Sequence, residues 1–340
     1  MEDIINMTLA LYDKTGYLNM PEIIESEYPM IFIAAARGTG KTYGCCRYFL
    51  EHENNIMLLR RTQTEAELQM DHDSCSFFEP AADLGIEYQL TKAGKNNARI
   101  FYGSGSAFIA GLSTFANIRG AFNFRDVTHI FYDEFIPEPH VKRIKDEGFA
   151  LANLYESVNR NRELQDKPPV KLICAANSMN LANDYFIYFG LIEDAEEMLK
   201  TGEEIRIVGD KLLIIPHGSP ISKRKANTVL YKNVQQEFSD MALKNEFILN
   251  DFTYVQKNVL REYSALLRVG SLTIYKHKSE KQFFISMTPA ETKKVYTDSY
   301  SDLARFRRDH WRLAGHYLDG RIRFSDYYSL SLFEKYIDIK

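Results

Sequence analysis

Apolar positions in this 340-residue chain fall into short, separated runs. Residues 30–34, 56–59, 127–132 and 170–176 are largely apolar and rich in branched side chains. Runs of that length without alternation suit strands buried on both faces of a parallel sheet. Helical character separates them at 43–52, 63–70 and 149–165, with Pro168-Pro169 before the last strand. Alternating strands and helices predict an α/β fold built on a doubly wound parallel sheet, its chemistry at the strand C-termini. Residues 1–29 read as a short helical lead-in punctuated by Pro21, and 86–90, 99–102 and 107–112 as an antiparallel insertion with Gly/Ser turns. From about residue 237 the pattern changes. Paired strands at 264–275 and 282–287, then helices near 302–317 and 326–336, predict a smaller α+β domain. The expected organisation is 1–191 for the first domain, 192–236 for a linker and 237–340 for the second. Within the linker, 193–204 is acidic, and Ser222-Lys223-Arg224-Lys225 reads as an exposed basic loop.

The first run feeds directly into Ala35-Ala36-Arg37-Gly38-Thr39-Gly40-Lys41-Thr42, which opens a helix. Strand, glycine-containing loop, Gly-Lys-Thr and helix together form a phosphate-binding loop of the P-loop NTPase class. Gly38 and Gly40 let consecutive N–H groups turn inward on phosphate oxygens, and the helix N-terminus adds partial positive charge. Lys41 is expected on the β- and γ-phosphates and Thr42 on Mg²⁺, so that Ala36 to Thr42 form the binding site for ATP. The usual first glycine is Ala35, small enough for a close approach.

A second run, Val127-Thr128-His129-Ile130-Phe131-Tyr132, ends in Asp133-Glu134. At the tip of a central strand, Asp133 is expected to hold the metal shell with Thr42, and Glu134 to orient and deprotonate water. An adjacent Asp-Glu pair is typical of hydrolysing motors rather than kinases. Asn177 closes the run expected beside the Asp133 strand, where it can hydrogen-bond a phosphate or the lytic water. Asparagine is also an ordinary turn former there. Arg160 and Arg162, on alternate faces of the helix end, and Arg119, on a loop before the catalytic strand, are candidates for an arginine that stabilises transferring phosphate.

Charge changes the picture only in its distribution. The net charge is −4, yet residues 237–340 carry 17 Lys+Arg against 14 Asp+Glu, leaving 25 against 32 in 1–236. Six arginines between 305 and 323, with His310, Trp311 and His316 among them, suit a nucleic-acid backbone and equally a solvated helix face. No apolar run approaches a membrane span, and the acidic start is no signal peptide. Four cysteines without metal-ligand spacing suit a reducing cytosol.

The combination of the phosphate loop, Leu-Leu-Arg60-Arg61, Ile-Phe-Tyr-Asp133-Glu134-Phe135-Ile136 and Asn-Arg160-Asn-Arg162-Glu163 resembles the DNA-packaging (encapsidation) ATPases of phi29-like podophages. Ala176-Asn177-Ser178, Asn183-Asp184-Tyr185-Phe186 and, more faintly, Gly320-Arg321-Ile322-Arg323-Phe324 extend the resemblance. It implies a terminase-like ASCE ATPase, usually a homopentameric ring, in the host cytoplasm and transiently docked on the portal (connector) of a procapsid. It implies ATP-driven translocation of double-stranded DNA. Some relatives also use a packaging RNA. Arg160 matches the family's trans-acting arginine better than Arg162, and Arg119 stands at a second basic position that is lysine in a relative. The family's C-terminal domain resembles an RNase H-type nuclease without its active site, and here residues 263–279 contain no Asp or Glu. Docking and nucleic-acid binding are therefore expected of that domain, and nuclease chemistry is not, since two-metal cleavage needs clustered carboxylates. The basic loop at 223–225 and the turn at 92–97 are candidates to grip DNA. A helicase of the same NTPase class, or a nucleotide-gated assembly factor that does not cycle, are the alternatives; strand separation or single turnover would mark them.

Overall fold

The computed structural model describes residues 9–94, 96–120, 122–137, 144, 146–177, 183–233, 255 and 260–338. The chain divides into two compact units, Met1–Ile248 and Leu249–Lys340. No helix among the described residues is long and apolar enough to cross a membrane.

The first unit holds strands β1 (Met30–Ala34), β2 (Asn55–Arg60), β3 (Gln89–Lys92), β4 (Ala98–Tyr102), β5 (Gly105–Gly111), β6 (His129–Asp133), β7 (Lys171–Ala176), β8 (Ile205–Val208) and β9 (Lys211–Ile214). They form one nine-stranded sheet in the order β3-β4-β5-β2-β6-β7-β1-β9-β8. From β5 to β9 all neighbours are parallel. The apolar runs form its centre: Ile31, Phe32, Ile33, Leu58, Phe131 and Ile173 are fully buried, as strands covered on both faces require. β7 lies between β1 and β6, with Ala34 opposite Ala176 and Asp133 opposite Ala175. One strand thus separates the phosphate-loop strand from the Asp133 strand, as in ASCE-type ATPases. The four cysteines are buried and reduced.

Three expectations are corrected. Of the segment expected as a linker, residues 192–214 are not one, since the helix Ile192–Thr201 is followed by the β8–β9 hairpin, and β9 pairs with β1 from Met30 to Ile33. The predicted insertion is antiparallel from β3 through β4 to β5, but β5 also pairs parallel with β2 over Asn55–Arg60, and so belongs to the central sheet. The helix expected over 149–165 runs Glu147–Asn159 and stops there, because Asn159 turns its side chain to Val170 N (2.7 Å) and Glu163 (2.7 Å). Arg160 and Arg162 therefore do not sit on two faces of one helix.

The second unit is α+β. Its strands β10 (Tyr263–Val269), β11 (Leu272–His277), β12 (Phe283–Ser286), β13 (Val295–Tyr296) and β14 (Ile322–Phe324) form a mixed sheet in the order β13-β10-β11-β12-β14. The helices Tyr300–Asp309, Arg312–Leu318 and Tyr327–Ile337 accompany it. Leu267, Ile274, Ile285, Phe306, Phe324 and Phe333 form the core. The expected start of this domain, at 237, lies outside the described residues, as do Ser178 and Lys95 of the motifs named above.

Candidate nucleotide site

The loop after β1 continues the ladder by one bond, Ala35 N to Ala176 O (3.1 Å), and then leaves the sheet. Gly38 and Gly40 take positive φ, 66° and 88°, which lets the chain curl back on itself. The helix Lys41–Glu51 starts immediately after Gly40, and no side chain caps it. Its first N–H groups and the helix dipole therefore face the loop, an arrangement that favours an anion. The loop is braced from outside: Leu18 N donates to Thr39 O (2.9 Å), and Tyr17 packs so close to Gly40 that a Cβ there would stand 3.1 Å from its ring.

Lys41 is 7 % exposed and donates to Ala35 O (2.9 Å), Ala36 O (2.9 Å) and Asn177 Oδ1 (3.3 Å). Burial pulls its ammonium down to about 8, against the pull of Asp133 and Glu134; the positive charges of Lys225 and Arg37 lower it further. Thr39 closes the loop on Ala36 O (3.0 Å). Thr42 Oγ1 donates to Asp133 Oδ1 at 2.9 Å. Asp133 is buried, which raises its carboxyl above the usual range in spite of an ion pair with Arg60.

Glu134 is different. It follows β6 with φ 55°, and its side chain is 58 % exposed. Arg60, at the tip of the neighbouring strand β2, spans the two carboxylates: Nη1 to Asp133 Oδ2 and Nη2 to Glu134 Oε2, each at 2.6 Å. From the sequence, Arg60 stands out only within a motif shared with the family and is not expected at the site. The one available signal was a charged residue at the end of an otherwise apolar strand. Arg61, pointing the other way, is 1 % exposed and grips Glu147 (2.8 and 3.1 Å). Glu147 also accepts from Tyr185 Oη (2.7 Å), which meets Tyr132 Oη at 2.5 Å. This buried network ties the tip of β2 to β6 and to the helix Glu147–Asn159.

The strand ends thus bring Lys41, Thr42, Asp133 and Asn177 together, with Glu134 alongside and Ala36, Arg37, Gly38, Thr39 and Gly40 forming the loop. Arg119 and Arg160 stand apart: neither shares an ion pair or hydrogen bond with that cluster among the described residues. Arg119 is exposed after the short helix Phe115–Ile118. Arg160 is exposed too, with backbone angles of φ 51° and ψ −135°, a conformation that costs a bulky residue ~1–3 kcal/mol. Its Nε reaches only Ser157 O (3.4 Å), and Arg162 Nη2 donates to Arg125 O (3.1 Å). The donor set fits Mg²⁺, which takes one or two protein oxygens and completes its shell with phosphate and water. Thr42 Oγ1 and Asp133 offer such a pair.

Likeness to known proteins extends along most of the chain. Residues 12–325 match the family described as podovirus DNA encapsidation protein (Gp16). DNA packaging proteins of Bacillus phages PZA and phi29 are each 24 % identical over 335 residues, covering 92 % of this chain and 95 % of theirs. The fold is similar to a chain of the bacteriophage phi29 viral genome packaging motor assembly, with a TM-score of 0.64 at 20 % identity over 94 % of this chain and 99 % of that one. It is likewise similar to the phi28 gp11 DNA packaging motor, with a TM-score of 0.63 at 16 % identity over 94 % and 97 %. With the family match spanning nearly its whole length, the chain belongs to the podovirus DNA encapsidation proteins and serves DNA packaging.

Proposed function

We infer that this protein is an ATP-hydrolysing motor that drives double-stranded DNA through the portal of a procapsid. The observation that carries the reading is the convergence of Lys41, Thr42, Asp133 and Asn177 at the ends of three adjacent strands, with Glu134 at their margin. Mg²⁺, when bound, would neutralise phosphate charge and orient the terminal phosphoryl group. Lys41 and the loop N–H groups would bind the polyphosphate, while Thr42 and Asp133 would hold the metal. Asn177 is placed to report on the same phosphate, because it already shares a hydrogen bond with Lys41. Glu134, exposed beside the buried Asp133, is the base that takes a proton from water once Arg60 releases it. Arg160 completes the site from a neighbouring subunit of a ring, which the resemblance makes a pentamer. Its exposure and strained backbone support an outward role, and Arg119 is the second candidate. The second unit, whose first two strands lack carboxylates, serves docking and nucleic-acid contact rather than cleavage. A packaging RNA is a further partner in some relatives.

The test is ATP hydrolysis by wild type, Lys41→Ala and Glu134→Gln, with and without duplex DNA and procapsids. Hydrolysis stimulated by DNA or procapsids, absent in Lys41→Ala, is expected. Glu134→Gln should bind ATP and lose 10²-fold or more in turnover. Wild-type turnover by Glu134→Gln would end its assignment as base, and strand separation on a tailed duplex would favour a helicase.

A further inference from the structure

A second lysine reaches the phosphate loop from the segment expected to be a linker. Ser219 caps the helix Pro220–Lys225, its Oγ accepting from Ser222 N (3.2 Å). Ser219, Ile221 and Ser222 are buried, and the helix start lies against the turn at Gly16, where Ile221 N meets Gly16 O (3.4 Å). Lys223 and Arg224 face solvent, but Lys225 turns inward. Its Nζ donates to Gly38 O (3.0 Å) and Arg37 O (3.3 Å), and a Cβ on Gly38 would stand 1.7 Å from it. The expectation of an exposed basic loop over 222–225 is therefore corrected: the segment is helical, Ser222 is buried and Lys225 turns inward.

Two ammonium groups now converge on one eight-residue loop. Lys41 lies inside it and Lys225 at its outer lip, close enough that the charge of Lys225 disfavours that of Lys41. Asp133 and Glu134 already offset the charge of Lys41, whereas Lys225 shares no ion pair among the described residues, so an anion at the lip of the loop would offset its charge. A simple tie between helix and loop would need no charge, because an amide could donate to the same two carbonyls. We propose that Lys225 is a second phosphate-binding lysine, supplied by the same subunit, that contacts the polyphosphate of a nucleoside triphosphate from the outer side of the loop. The inference rests on the reading of this loop as the nucleotide site, and it makes the 219–233 segment part of that site.

Fluorescent ATP binding to the full-length protein, followed by anisotropy with Mg²⁺ at several KCl concentrations, tests it. Lys41→Ala, Lys225→Gln and Lys225→Arg are compared with wild type. Glutamine keeps an amide donor on a stem one bond shorter and removes the charge, so the salt dependence separates lost charge from lost reach. The expected result is about tenfold weaker binding in Lys225→Gln and near wild-type binding in Lys225→Arg. The gap between wild type and Lys225→Gln should narrow as salt rises, as a lost charge contact does and a distorted loop does not. Binding by Lys225→Gln within twofold of wild type overturns the proposal and leaves Lys225 a structural tie, as does a gap that salt leaves unchanged. If wild type itself fails to bind, or binds no better than Lys41→Ala, the nucleotide reading of the loop falls and this inference with it.

Discussion

Arg60 Nη2 lies 2.6 Å from Glu134 Oε2, so the residue placed to activate water is held in an ion pair. The other nitrogen of the same guanidinium holds Asp133, which makes Arg60 a clamp across both carboxylates. Arg60→Ala should free Glu134 and leave the buried Asp133 facing an adjacent negative charge, with only Lys41 and the Thr42 hydroxyl to offset it. Turnover is expected to fall tenfold or more. Arg60→Lys, whose point charge cannot fork, should recover only part of it. Steady-state hydrolysis by the three proteins checks this, and an Arg60→Ala protein as active as wild type would remove the clamp from the mechanism.

Arg160 is the test of a shared site. Arg160→Ala alone should lose about 10³-fold in hydrolysis, the usual order for an arginine finger. Mixed with Glu134→Gln, it should regain measurable activity, because each protein supplies what the other lacks at a mixed interface. No recovery at any ratio would place Arg160 in its own subunit's chemistry or outside the chemistry altogether.

The pair Arg61–Glu147 is buried at both ends. Removing one partner leaves an unpaired buried charge and should cost about 3–5 kcal/mol. Glu147→Leu is therefore expected to melt well below wild type. The double variant Arg61→Met, Glu147→Leu should melt above it, since neither charge then remains. Thermal or denaturant unfolding decides the point.

His129, the first residue of β6, is pushed down to about 4 by burial and by the charges of Lys171, Arg162 and His52. The unfolded chain takes up this proton near pH 6.5 and the folded protein only near pH 4, so stability falls as pH drops through that window. Melting temperature measured from pH 7 to pH 4 should decline less steeply in His129→Gln. Parallel curves for the two proteins would mean that other groups govern acid sensitivity.

Much of this was legible because the decisive residues sit at the ends of unbroken apolar runs. Ala35 to Thr42 follows one run, Asp133 ends another and Asn177 a third, and a parallel sheet aligns such ends. Arg60 was not, since its partners are 73 and 74 positions away and only the pairing of β2 with β6 brings them close. The same limit hid β8 and β9, short strands beside an acidic helix whose charge resembled a linker. At Arg160 the helix appeared to continue, because nothing local announces that Asn159 will bond to Val170. Lys225 looked like its exposed neighbours; only the docking of Ser219 and Ile221 turns it inward.

The pairing of β9 with β1 also bears on how the protein can be divided. β1 is an interior strand only because residues beyond 191 complete its second side. A fragment ending there would expose one whole edge of Met-Ile-Phe-Ile-Ala, with its N–H and C=O groups unpaired and no charge to discourage another chain. Such an edge is a template for intermolecular pairing. A fragment of that length should associate or precipitate, and its lost activity would then reflect a missing neighbour strand rather than missing chemistry.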